Sequence, residues 1–211
     1  MLRVAVFASG EGTIFEAIAA ECQEKRIAAE IVVVVTDNPM APVVQKATKR
    51  RLPSIVRDKR FYPTRAQHEA SIMEAVQDFQ PDLLVLAGYL RLVSPHFVQR
   101  YYSTERQLPG IMNTHPSLLP AFKGLDSYRQ AYEYGAKIAG CTVHFVDEEL
   151  DHGPIIMQES FPIVDGDTVE TVTEKGKALE RRLFPFAIDL YARNCLRLDG
   201  RTVRVVDGTA P

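Results

Sequence analysis

EIVVVVTDN, residues 30–38, is a nearly unbroken run of valine and isoleucine closed by Thr36, Asp37 and Asn38. Such a run lacks the alternation of a half-exposed strand. It predicts a strand covered on both faces, as in a parallel sheet between helices. The neighbouring segments repeat the theme. LRVAVFA (2–8) is a short β-rich run, followed by the turn SGEG and a helical stretch, TIFEAIAAECQEKR (13–26), with Ile14, Ala17, Ile18 and Glu21 at helical spacing. Next come a helix APVVQKATKRR (41–51), a strand PSIVR (53–57), a helix TRAQHEASIMEAVQDFQ (64–80) and a strand PDLLVLAG (81–88). This βαβαβα order predicts an α/β fold, an open, mostly parallel twisted sheet with helices on both faces.

The second half is less regular. GIMNTH (110–115) reads as another buried strand, YRQAYEYGAK (128–137) as a helix, and AGCTVHFVDEELDHGPIIMQESFPI (139–163) as two strands joined by an acidic loop. A charged helix, TVETVTEKGKALERRLFPFAIDLYARN (168–194), precedes LRLDGRTVRVV (196–206), a closing hairpin with Asp199-Gly200 at its turn. No internal repeat, low-complexity tract or Pro/Gly/Ser linker interrupts the 211 residues. A single domain, 1–211, is expected.

Composition narrows the function classes. The chain is 46% apolar, enough for a full core, and its net charge of −2 carries no basic excess for nucleic acid or an anionic membrane. The N-terminus runs from strand-like residues into a glycine turn, unlike a secretory signal, and no apolar run approaches a bilayer span. Cys22, Cys141 and Cys195 are odd in number and far apart. They suit a reducing cytoplasm and give neither a disulfide framework nor zinc spacing.

In an open parallel sheet, ligands gather beyond the carboxyl ends of the strands. Four loops are expected there: SGEGT (9–13), AGYLRLV (87–93), NTHPSLLP (113–120) and VDEELDHG (146–153). The first sets two glycines between a strand and a helix, so backbone N–H groups can cradle a phosphate. Asp37 follows the second strand at the distance of a dinucleotide fingerprint, but Phe15 holds the third glycine position and favours a phosphate monoester. A plain tight turn is the competing reading. In the third loop, Asn113 can donate to a developing oxyanion and His115 can move a proton near neutral pH. Residues i and i+2 of a strand share a face, and Pro116 and Pro120 stiffen the chain beyond it. In the fourth loop, one carboxylate among Asp147, Glu148, Glu149 and Asp151 could fix the tautomer of His115. The alternative is a solvated acidic surface.

No metal is expected, because the five histidines show neither an HExxH helix nor pairing with cysteine. Ser117 lacks a glycine-flanked elbow, and Cys141 lies in an apolar strand, so no covalent nucleophile is expected either. His144, two residues beyond Thr142, could face the same pocket as Asn113 and His115, although a buried, hydrogen-bonded histidine is the simpler reading.

With those residues in view, the chain resembles the folate-dependent formyltransferases, most closely the branch that formylates glycinamide ribonucleotide in purine biosynthesis. The blocks SGEGT, PDLLVLAGYLRLVSP, NTHPSLLP, GCTVHFVDEELDHGPII and KALERRLFP carry the resemblance in order. It implies an open α/β formyltransferase fold with a Rossmann-like N-terminal half, and 10-formyltetrahydrofolate as the formyl donor. It also implies Asn113 as oxyanion donor, His115 as general acid/base and Asp151 as the aspartate that tunes it. Gly12, Thr13 and Ile14 match the phosphate-binding turn, and Lys177 and Glu180 match residues near phosphate and ribose. Leu86, Leu90, Arg91, Leu92 and Val93 match the pterin wall, with the loop Val146, Asp147 to Asp151 opposite and Arg65 at the glutamate tail. Residues 1–100 would be the nucleotide-phosphate-binding half and 101–211 the catalytic and folate-binding half. Monomer and homodimer are both compatible.

Two departures stand out. Ile14 occupies a position where the family usually carries asparagine, which removes one hydrogen bond to the phosphate, about 1–3 kcal/mol if nothing compensates. PAFKG with YRQAYEYGAK leans toward the deformylases of the same family, which deliver the formyl group to water. A binding module without catalysis, or transfer to a different amine acceptor, would also be compatible with these residues.

Overall fold

In the computed structural model, residues 1–206 are described, and residues 207–211, the end of the expected domain, lie outside them. The first half follows the expected order: β1 (Leu2–Phe7), α1 (Thr13–Gln23), β2 (Ala29–Thr36), α2 (Pro42–Lys49), β3 (Ser54–Val56), a 3-10 turn (Lys59–Phe61), α3 (Arg65–Gln77) and β4 (Leu83–Leu86). Then come α4 (Pro95–Arg100), the two-residue strands β5 (Tyr102–Ser103) and β6 (Leu108–Pro109), and β7 (Ile111–His115). The chain closes with α5 (Ser127–Tyr134), β8 (Ile138–Phe145), β9 (Ile155–Pro162), α6 (Val169–Ala192) and the hairpin β10 (Leu196–Asp199) and β11 (Thr202–Val205).

Local chemistry sets the boundaries. α2 begins with Pro42 in its first turn, where the missing N–H costs nothing. The Thr64 hydroxyl accepts from Gln67 N–H at the start of α3, and Thr168 and Thr171 satisfy each other at the start of α6. α4, which the sequence pattern does not predict, is only six residues long, too short to show a period. It forms because Ser94 caps Phe97 N–H and Pro95 pre-sets the first turn. In the hairpin Asp199 pairs with Thr202, so the tip is Gly200–Arg201, one residue later than expected.

The main sheet has the order β3-β2-β1-β4-β7-β8-β9. The first five strands are parallel, and β8 and β9 are each antiparallel to the strand before them. Alternate residues feed two cores. Val4, Val6 and Met112 meet Phe15 and Ile18 of α1 and Phe184 of α6. Ala5, Phe7 and Ile111 meet Ile72 of α3 and Phe97 of α4. Helices thus cover both faces, as expected. Each fully buried large side chain adds roughly 1.5–3 kcal/mol, and Phe184→Ala should cost about 3–5 kcal/mol.

Strand order reverses beside β1, whose neighbours are β2 and β4. The loops after β1 and β4 therefore diverge around a crevice at the carboxyl edge. Strand β7 ends beside it and has two working faces. Asn113 and His115 share the α3 side with Ile111, whereas Thr114 shares the α1/α6 side with Met112.

Candidate active site

Antiparallel register brings four polar residues onto one face, because Asn113 pairs with His144 and His115 with Thr142. Asn113 Nδ2 donates to His144 Nε2 at 3.2 Å, and His144 Nδ1 donates to the Phe145 carbonyl at 2.7 Å. Burial pushes the His144 pKa down, more than the Phe145 carbonyl and Asp151 raise it, so the neutral ring suits an acceptor role. One Asn113 N–H is thereby spoken for. The other is left for an oxygen in the site.

His115 is 3% exposed, and both of its ring nitrogens are engaged. Nδ1 lies 3.3 Å from Asp151 Oδ2, and Nε2 lies 2.9 Å from the Phe122 carbonyl and 3.2 Å from the Ser127 hydroxyl. Only a protonated ring donates to both oxygen partners at once. Burial alone would raise the Asp151 pKa, but hydrogen bonds from His115 and from Gly124 N–H (2.9 Å) outweigh it and hold the carboxyl below its usual value. His115 can reach a substrate only when a partner yields. Phe122 lies in the segment between Pro116 and Ser127, where Phe122, Gly124 and Asp126 all have positive φ.

Three of the four expected loops lie at the carboxyl edge; the acidic loop does not start there. Because β8 runs antiparallel, Val146 N–H bonds Ile111 O at the beginning of β7, and the loop folds back across the sheet to bring Asp151 to His115. Along this path Asp151 takes φ 47°, a left-handed conformation uncommon for non-glycine residues. Gly153 is obligatory, since a Cβ there would overlap the Phe145 carbonyl.

Two cavities open at the carboxyl edge, one on each side of the sheet. The one on the α1/α6 side, about 350 Å³, is lined by Gly12, Thr13, Ile14, Ser127, Lys177 and Glu180 among others. Gly12 has φ 67°, and a Cβ on it would strike Val43, so the α1 start stays open. No side chain caps that start, which leaves first-turn N–H groups facing the cavity. The Ile14 side chain is nine-tenths buried in the apolar core and offers the cavity no polar group. Lys177 is exposed and pairs with Glu174. Burial raises the Glu180 pKa even though Tyr128 and Thr114 donate to its two oxygens at 2.9 and 3.4 Å.

The groove on the α3 side, about 470 Å³, is lined by Arg65, Leu90, Arg91, Leu92, Val93 and Tyr89 among others. Leu90 and Leu92 are exposed, and Leu86 lies beneath in the core, opposite Asn113 in register. Two side chains expected toward ligand are tied within the protein: Arg65 pairs with Glu69 (2.9 Å), and Arg91 Nε with buried Asp37 (2.5 Å). Asp37 is therefore an anchor for the 88–93 segment rather than a ribose acceptor, and its second oxygen has no partner. Asp147 binds His152 at 2.8 Å, and Val146 packs on the α3-side core. The α1-side cavity draws Ser127, Lys177 and Glu180 from the second half, and the groove is lined from the first.

Sequence patterns do not reveal the contact between His144 and Asn113, the Phe122 cover or the Thr114–Tyr128–Glu180 group. The strand alternation that aligns Asn113 with His115 also aligns Thr142 with His144, and only the pairing register is missing from it. Lys123 is exposed, with Nζ 3.4 Å from Leu150 O. Among the described residues, no group of three or more His, Cys, Asp or Glu side chains could hold a metal ion, and no helix is long and apolar enough to cross a membrane.

Comparison with known proteins converges on one family. The chain is 40% identical to the phosphoribosylglycinamide formyltransferase of Bacillus subtilis, covering 89% of this chain and 93% of that protein. It is 38% identical to the trifunctional purine biosynthetic protein adenosine-3 of Bos taurus, but spans only 19% of that protein's length. A glycinamide ribonucleotide transformylase from Symbiobacterium toebii superposes with a TM-score of 0.93 at 42% identity, covering 98% of this chain and 95% of that one. A formyltetrahydrofolate deformylase from Pseudomonas syringae, at 24% identity and TM-score 0.87, shares the fold. The family profile described as formyl transferase matches residues 2–188, nearly all of the sheet and helices that build both cavities. The chain belongs to the formyl transferase family.

Proposed function

We propose that the chain transfers the formyl group of 10-formyltetrahydrofolate to the amine of glycinamide ribonucleotide, a cytoplasmic step of purine biosynthesis. The observation that carries this reading is the meeting of Asn113, His115 and Asp151 next to a cavity with an open helix start, whose lining includes Pro116 and the Ser127 that touches His115. The ribonucleotide's phosphate takes the first-turn N–H groups of Thr13 and Ile14, and its ribose lies toward Glu180. The pterin takes the backbone edge of 90–93, with Leu86 beneath and Val146 and Asp147 opposite. The glutamate tail takes Arg65.

The amine attacks the formyl carbon, and the carbonyl electrons move onto oxygen. The free Asn113 N–H and protonated His115 stabilise that oxyanion, His115 once the Phe122 carbonyl has moved aside. The proton lost by the amine reaches N10 of the folate with help from His115, Asp151 and water, and the C–N10 bond breaks. The products are formylglycinamide ribonucleotide and tetrahydrofolate. No covalent formyl-enzyme forms, in keeping with the absence of a nucleophile from the reacting set.

The test is the rate of tetrahydrofolate formation with and without glycinamide ribonucleotide. Strong dependence on the ribonucleotide is expected. Equal release in its absence would replace the transferase with a hydrolase.

A further inference from the structure

The family match ends at residue 188, before the β10–β11 hairpin. The hairpin is nonetheless anchored. Leu196 is fully buried, Leu198 and Val203 pack against the α1/α6-side core, and Val206 N–H donates to Cys195 O at 2.8 Å. Rigid attachment at the base fixes where the tip points.

The tip residue Arg201 points at the acidic loop. Its Nη2 donates to the His152 carbonyl, and its Nη1 lies 3.2 Å from His152 Nε2. His152 directly follows Asp151, and its Nδ1 meets Asp147 Oδ2 at 2.8 Å. Asp147 Oδ1 accepts Glu149 N–H at 3.1 Å, closing the loop from its other flank. Asp151, between these supports, holds a left-handed backbone while its carboxylate meets Gly124 N–H and the His115 ring. Such a conformation persists only where the surroundings impose it.

We propose that Arg201 is a positioning residue for the transfer reaction: by gripping the His152 carbonyl it fixes the backbone just beyond Asp151, and with it the aim of the Asp151 carboxylate at His115. This rests on the proposed role of Asp151 in proton transfer. The planar guanidinium suits the task because it reaches a carbonyl and a ring edge together, which an ammonium does not. The plainer account is a surface hydrogen bond on a hairpin that only covers the core. It predicts no selective effect on turnover.

The experiment compares full-length wild type, Arg201→Ala, Arg201→Lys, His152→Ala, Asp151→Asn and the Arg201→Ala/Asp151→Asn pair. For each, kcat, both KM values, thermal unfolding and the ring 15N signals of His115 are measured. For Arg201→Ala, kcat should fall about tenfold, a small displacement at the reacting groups being enough, with both KM values and Tm nearly unchanged. Arg201→Lys should recover part of the loss, and His152→Ala, which keeps the carbonyl, should lose less. In the double variant the Arg201 change should add nothing to Asp151→Asn, and the His115 signals should move in Arg201→Ala. Unchanged kcat, multiplicative effects in the pair, or a loss that tracks Tm overturns the proposal. If wild type makes no formylglycinamide ribonucleotide while the His115 signals still move, the functional reading fails and the brace stands; unmoved signals end the brace whatever the activity.

Discussion

The two cavities at the carboxyl edge are held in shape differently. On the α1/α6 side the walls combine α1, α5 and α6 with the turns after β1, β4 and β7, and the carboxyl of Glu180 is sunk among the helices with Tyr128 and Thr114 as partners. On the α3 side the wall is α3 and the 89–93 segment, which carry two ion pairs: Arg65–Glu69 within α3, and Arg91–Asp37, which ties the segment to the end of β2. Packing suits a surface that must keep one shape for one ligand. A charge pair such as Arg91–Asp37 suits a segment that must part and rejoin, since it is worth little where solvent reaches it. The two buried acids respond to pH in opposite senses for the same reason. Burial dominates Glu180 and raises its pKa, whereas partners dominate Asp151 and lower it.

Breaking the reacting set at the end of β7 should have the largest effect. Asp151→Asn keeps the shape of the side chain and removes its charge, and kcat should fall at least about 100-fold, with the KM for ribonucleotide unchanged in steady-state assays. Unaltered turnover would remove Asp151 from the reacting set. The packed side is tested by Gly176→Ala. A Cβ there would overlap the Tyr128 ring, pushing the Tyr128 hydroxyl off Glu180. A stability loss of about 1–3 kcal/mol by denaturant titration is expected, together with a raised KM for ribonucleotide.

A smaller effect is expected from Asp37→Asn, which releases Arg91 from its anchor. The KM for folate should rise about fivefold, as befits a pair with one partly exposed member, while ribonucleotide KM stays put. Equal changes in both would mean that the 88–93 segment serves both cavities. Glu180→Gln should act most gently. A carboxyl with a raised folded pKa gives its full stability below the ordinary glutamate value and loses it as pH rises through the folded value. The variant should therefore melt above wild type near about pH 8 and lose that advantage near about pH 4. Asp151 has the opposite sign: its contribution is present above the ordinary aspartate value and fades as pH falls through the lowered one.

The parallel half is legible in the sequence because its strands are buried on both faces and announce themselves as apolar runs. VVVV in β2 and LLVL in β4 leave little alternative. Asn113 and His115 are legible as a pair through strand alternation. The partners of that pair are not. His144 looks like an ordinary buried histidine until register sets it against Asn113, and no local pattern indicates that the Phe122 carbonyl lies on His115. The acidic loop is expected at the carboxyl edge because the direction of β8 cannot be read from its composition. Asp37 has the spacing of a ligand residue, and an arginine far along the chain claims it instead.

The antiparallel placement of β8 also has a consequence for how activity is lost. The reacting set spans the boundary between the parallel strands and the β8–β9 edge, so it exists only while that edge is docked. Edge elements are drawn from the less protected end of a protein's opening spectrum. Amide exchange should find β9, the edge strand, and the hairpin opening at lower free energy than β1 or β4. In rising denaturant, turnover should vanish before the bulk of the helical signal, leaving a partly folded chain that keeps much of its parallel core and has no means to move a formyl group.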